Sequence, residues 1–212
     1  MPVVTMIAGP NGSGKSTLIA RLRASNRLPG HYLNADDNAL TLSGTPENVS
    51  RQAQEIVREG RRQALSAGSD YCFETVMSHP SHIEHMQAAR KAGFETRLCF
   101  VATEGPVINR SRVANRVVHC GHDVPPDRIE ARYHRCLALL PAAIQACHHC
   151  LIFDNSKPEA PLRLLAEVER AQLRYSDGNS PVDLPFWWVK ILIGQNADIS
   201  IRLGMPIGLM PE

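Results

Sequence analysis

The sequence has little surplus charge of either sign. Its 23 Lys and Arg stand against 21 Asp and Glu, a formal net charge of +2. A nucleic-acid binder carries a stronger basic excess, so bulk charge gives that partner no support. No apolar run approaches the roughly 20 residues of a membrane helix. Met1 to Ile7 lacks the basic start and long apolar core of a signal peptide and reads as a first strand. Six cysteines in 212 residues are too sparse for a disulfide scaffold. They are expected to be reduced thiols in a cytoplasmic protein. Internal repeats are absent.

What is present is alternation. With 43% hydrophobic residues, the chain is long enough for one α/β domain with a sizeable core. Strands are expected at 2–8, 31–35, 70–75, 95–102 and 150–153. Helices are expected at 15–25, 46–67, 80–93, from Pro106 to near Gly121, at 127–147 and at 159–175. Prolines and glycines fall at these boundaries. The 46–67 helix carries Val49, Ala53, Ile56, Val57, Gly60 and Ala64 on one face. Such βαβ units predict a mainly parallel sheet covered on both faces. Residues 1–176 read as one domain. Residues 177–212 are a Pro- and Gly-containing extension that holds both tryptophans. Its segment 186–193 reads as a strand or hairpin docked on the core.

Gly9-Pro10-Asn11-Gly12-Ser13-Gly14-Lys15-Ser16 fits G-x-x-x-x-G-K-[ST], between an apolar strand and a helix. In that context the glycines let successive N–H groups point at a phosphate. Lys15 is expected at the β- and γ-phosphates and Ser16 on Mg²⁺, with Thr17 next in the loop. The loop alone does not choose between a kinase, an ATPase and a switch; with the features that follow, the expected fold class is α/β, a P-loop kinase-like three-layer fold with a mainly parallel central sheet and a helical lid.

Ligands gather at the carboxyl ends of such strands. Asp36, after the second strand, is placed to take the proton of an acceptor hydroxyl. Glu74, Thr75 and Ser78 follow the third strand. Glu74 is expected on the metal through water or on the acceptor, and the two hydroxyls on the acceptor. Residues 110–135 hold Arg110, Arg112, Arg116, Arg128, Arg132 and Arg135. As a lid over about 105–135 they can bring guanidinium groups to a transferring phosphoryl group. Arg110, Arg128 and Arg135 are assigned to its solvated face.

Further marks are Asn-Ala-Asp (34–36), Phe-Glu-Thr-Val-Met-Ser (73–78), Asn-Arg-Val (115–117), Gly-His-Asp-Val-Pro (121–125), Arg-Tyr (132–133) and Asp-Asn-Ser (154–156). Together with residues 8–17 these resemble the zeta-toxin family of P-loop kinases, in its short single-domain form, over about residues 3–156. The resemblance implies ATP-dependent phosphorylation of a small-molecule hydroxyl, as of the UDP-amino sugar UDP-N-acetylglucosamine. It also implies an antitoxin protein as a partner. It matches Lys15 and Ser16 to phosphate and magnesium, Asp36 to the catalytic base, and Arg116 and Arg132 to the gripping arginines. Arg112 and Asn155 fall on the nucleotide side. Cys120 and Cys136 depart from the family's usual glycine and serine.

Other readings weigh less. A nucleotide-dependent ATPase or switch would share the phosphate loop, and so would a polynucleotide-end kinase. Cys147-His-His-Cys150 offers half a zinc site, with His119, Cys120 and His122 as the second half. Burial of the two cysteines is the simpler account. His79, His82 and His85 are read as surface residues.

Overall fold

The structure, a computed structural model, describes residues 1–28, 30–118, 124–157, 160, 162–170, 172–174, 185, 187, 188 and 191. In chain order the elements are β1 (Val3–Ala8), α1 (Lys15–Ala24), β2 (His31–Leu33), α2 (Ala35–Ala39), α3 (Pro46–Ala67), β3 (Tyr71–Thr75), α4 (Ser81–Lys91) and β4 (Glu95–Ala102). There follow α5 (Pro106–Val118), α6 (Pro126–Ala146), β5 (His149–Asp154), β6 (Arg163–Glu169) and β7 (Gln172–Arg174).

The sheet order is β2-β3-β1-β4-β5-β6-β7. The first five strands in that order are parallel, and β6 and β7 continue the sheet antiparallel. Apolar residues from α3, α4 and α6 join one core face, with Val57, Met86 and Leu140 buried on Met6, Phe73, Phe100 and Ile152. Leu18 and Ile19 of α1 cover the other face over Ile7 and Val101. Cover on both sides explains why β1 is buried without alternation from Val4 to Ala8.

Local chemistry sets the helix ends. In α3 the Thr45 hydroxyl accepts from the Asn48 N–H at 3.4 Å, Pro46 occupies the first turn, and Gly68 closes the helix at φ 64°. Ala53 and Val57 are buried, as expected from the stripe, and Gly60 meets Leu33. Ile56 departs from the expectation and is exposed. The sequence reading also lacked α2, a short helix capped by the Asn34 side chain, which accepts from the Asp36 N–H at 2.8 Å.

Two corrections concern the C-terminal part. The helix expected over 159–175 is the antiparallel pair β6 and β7. Leu165, Ala166 and Val168 are buried there. The open edge of β5 offers a full row of backbone partners, and pairing with it outweighs the helix propensity of Leu-Leu-Ala-Glu. Trp187 and Trp188 are buried in the core as residues of a helical segment, not a strand. Most of 177–212 lies outside the described residues.

Cys72, Cys99, Cys136, Cys147 and Cys150 are free and buried. Cys150 donates to the Ile144 carbonyl. Among the described residues no group of His, Cys, Asp and Glu could hold a metal, and no helix is long and apolar enough to cross a membrane. His119, Cys120 and His122 lie outside the described residues.

Candidate functional site

The phosphate loop joins β1 to α1 and is clamped from below. Gly12 and Gly14 adopt φ 74° and 103°, the left-handed region that favours glycine. A Cβ at Gly12 would stand 2.6 Å from the Asn109 carbonyl, and one at Gly14 would collide with the Asn155 amide. Those two asparagines hold the loop. Asn109 donates to the Asn11 carbonyl at 2.5 Å, and Asn155 donates to the Ser13 carbonyl at 2.7 Å. Successive N–H groups in such a curl form an anion nest, and α1 starts directly behind it at Lys15.

Lys15 is buried at the cleft floor. Its Nζ donates to the Gly9 carbonyl at 2.9 Å and the Pro10 carbonyl at 3.1 Å, and stands 3.7 Å from Glu74 Oε1. Glu74 also accepts from Tyr32 Oη at 3.1 Å. Asn34 Nδ2 donates to the same phenol oxygen at 2.8 Å. Burial first, and then the Glu74 charge, raise the Tyr32 pKa, so the phenol stays protonated and donates. Glu74 thus orients Lys15 by charge and is itself fixed by β2.

These residues open on one cleft of about 1070 Å³. Asn11, Gly12, Gly14, Lys15, Ser16 and Thr17 line it; Gly9, Pro10 and Ser13 are buried and are not on its lining. Asp36, Glu74, Thr75 and Ser78 line one side, and Arg112, Arg116, Arg132 and Asn155 another. The expected site residues are therefore brought together around a single space. Asp36 is exposed to it, whereas Asp37 pairs with Arg23 at 3.5 Å. Thr75 Oγ1 accepts from the Met77 N–H at 2.9 Å and so shapes the turn after β3. Asn155 lines the cleft while its amide is taken by the loop.

The arginines divide between cleft and solvent. Arg110 and Arg135 are exposed and away from the cleft, as assigned. Arg128 is exposed, as assigned, and also borders the cleft. Arg112 Nη1 is buried without a hydrogen-bond partner. Burial lowers the Arg112 pKa. Burial, then Arg128 and Arg135, lower that of Arg132. Crowded and partly dehydrated guanidinium groups favour an anion between them. The sequence reading missed the α3 wall altogether: Arg51, Gln54, Arg58 and Arg61 also line the cleft. Their spacing of three, four and three residues was a readable signal.

Floor, cationic walls and a parallel sheet ending at the cleft define a P-loop nucleotide-binding fold. Residues 4–139 match the AAA_33 family, an AAA domain, and the chain belongs to it. An uncharacterized protein of Haemophilus influenzae is 29% identical over 131 residues, covering 59% of this chain and 88% of its own. Two solved structures are similar in fold. That of the AvrRxo1-ORF1:-ORF2 complex is 14% identical with a TM-score of 0.63, covering 84% of this chain and 62% of that one. That of the PezAT chromosomal toxin-antitoxin system of Streptococcus pneumoniae is 13% identical with a TM-score of 0.59, covering 96% and 83%. The chain thus spans less than two thirds of the AvrRxo1 chain it matches.

Proposed function

We propose that this protein is an ATP-dependent phosphotransferase that phosphorylates a hydroxyl of a small molecule. The observation that carries the reading is the placing of Asp36 and Glu74 across one cleft from Arg112, Arg116 and Arg132, with the phosphate loop between them. Lys15, the loop N–H groups and the lid arginines supply fixed positive charge where phosphoryl transfer needs it. Asp36 then takes the proton of the acceptor hydroxyl. An ATP complex of AvrRxo1-ORF1 shares the fold and supports the choice of nucleotide.

The donor set fits Mg²⁺. Ser16 presents a hydroxyl in the first turn of α1, and Glu74 a carboxylate, both hard oxygen donors on the cleft. No full protein cage is needed, because Mg²⁺ keeps waters and takes phosphate oxygens. Bound there, it would supply charge neutralisation to the phosphates. Ser16 would hold it directly and Glu74 through water, since that carboxylate already serves Lys15 and Tyr32.

The resemblance to zeta toxins makes a UDP-amino sugar such as UDP-N-acetylglucosamine the first acceptor to test. A protein partner of antitoxin type belongs to the same proposal, supported by the toxin-antitoxin system named for one fold relative. The test is mass spectrometry of a metabolite extract after incubation with protein and ATP·Mg²⁺. A phosphorylated small molecule is expected, and Asp36→Asn should slow its formation by about 10²–10⁴-fold while sparing ATP binding. ATP hydrolysis without any phosphorylated acceptor would replace the transferase with an ATPase.

A further inference from the structure

The α3 wall carries a cation that has no ion-pair partner among the described residues. Arg58 pairs with Glu55, and Arg51 donates to Asn48. Arg61 has no such arrangement. Its guanidinium lies over the Phe73 ring, 4.8 Å from the centroid. One Nη donates to His82 Nδ1 at 3.1 Å. Its Nε is buried without any acceptor. Among the described residues no carboxylate lies within ion-pair distance of it.

Leaving a charged donor dehydrated and unpaired is costly. A guanidinium cannot escape by losing its proton. His82 gives no charge compensation, because burial pushes its pKa down to about 4 and leaves a neutral ring whose Nδ1 accepts from Arg61. Arg61 lines the cleft beside Ser78, His79, Ser81 and His82. There α4 begins at Ser81, and the start of its dipole adds partial positive charge to the same wall. A planar fork with a free Nε–H suits bidentate recognition of an oxyanion.

We propose that Arg61 anchors an anionic group of the acceptor, a phosphate or a carboxylate, at the α3–α4 wall of the cleft. This rests on reading the protein as a phosphotransferase. It makes the acceptor a hydroxyl compound with a charged handle, and excludes neutral sugars and polyols. A handle held there would fix which hydroxyl faces Asp36.

The test uses full-length protein saturated with AMP-PNP·Mg²⁺, so that the phosphate loop is occupied. Arginine Nε–H signals are followed by NMR while inorganic phosphate, and in a second arm acetate, is added. The signal lost in Arg61→Lys should move on titration. Arg61→Gln keeps part of the stem over Phe73 and serves if the lysine variant does not fold. Either variant should weaken the anion about tenfold, and Arg135→Gln should not. A shift with phosphate alone assigns a phosphorylated handle, and with acetate alone a carboxylate. No shift in either arm overturns the proposal. Transfer to a neutral acceptor with a KM indifferent to Arg61→Gln overturns it while the transferase reading stands. A shift without transfer to any acceptor leaves the anion site and removes the transferase.

Discussion

His82 and His85 were read from sequence as surface residues, yet both pack on β3. The His82 ring stacks on Phe73 at 6.3 Å between centroids, and His85 Nε2 is hydrogen-bonded with the Tyr71 hydroxyl at 2.7 Å. Burial first, and then Arg61, lower both pKa values from 6.5 to about 4. Between about pH 4 and 6.5 the folded protein therefore keeps these rings neutral while the unfolded chain protonates them. The unfolded state binds more protons, so stability falls as pH is lowered through that window. Urea midpoints at about pH 7.5 and 5 should show the drop, and the double variant His82→Gln, His85→Gln should flatten it. An unchanged slope would put the rings in solvent. The miss has a plain cause. The spacing of His82 and His85 at i, i+3 marks one helix face, but nothing in the residue types says which way that face turns. The same holds for Arg61, whose place on α3 looks like a solvated flank until Phe73 and His82 are seen beneath it.

At the scale of elements, the α5–α6 hairpin is tied to the phosphate loop and the sheet at its base. Asn109 reaches the phosphate loop, and Tyr133 Oη donates to the Thr103 carbonyl at 2.7 Å. Val113, Val124 and Ile129 form a small core of their own between α5 and α6. Arg116 and Arg128 lie beyond these ties and are exposed, so a closing motion of the hairpin would be read there. Adding AMP-PNP with Mg²⁺ should raise hydrogen-exchange protection at 112–118 and 126–132. The anchored turn at 106–110 and the core strand at 95–102 should hardly respond. Equal protection with and without nucleotide would make the hairpin rigid and remove the closing motion. The phosphate loop, α3 and the strand ends were legible because prolines and glycines punctuate them and each meets its partners locally. Arg128 is solvated as expected and still borders the cleft: exposure and function are separate questions for a side chain that long.

Across the whole molecule, the parallel five-stranded part of the sheet was legible, and its antiparallel margin was not. A βαβ unit announces itself by alternation, but β6 and β7 depend on the edge that β5 leaves open. The tryptophans needed the same tertiary information. Trp187 lies 6.2 Å from the Phe100 ring and 5.9 Å from Trp188 between centroids. Its indole N–H donates to Asp154 Oδ1 at 3.4 Å. Asp154 in turn accepts from Ser156, and Asn155 between them holds the phosphate loop. The tryptophans thus close the core behind the strand end that supports the site. Trp188 is 1% exposed, and its Nε1 is buried without a partner. Two terms follow from that. Trp188→Ala leaves a large cavity and should cost about 3–5 kcal/mol. Trp188→Phe keeps most of the apolar area and removes the unsatisfied donor, so it should cost much less. Urea denaturation measures both, with nucleotide binding as a readout of the coupled loop. An unchanged midpoint for Trp188→Ala would place the segment outside the core. Equal losses for Ala and Phe would mean that the indole N–H has a partner.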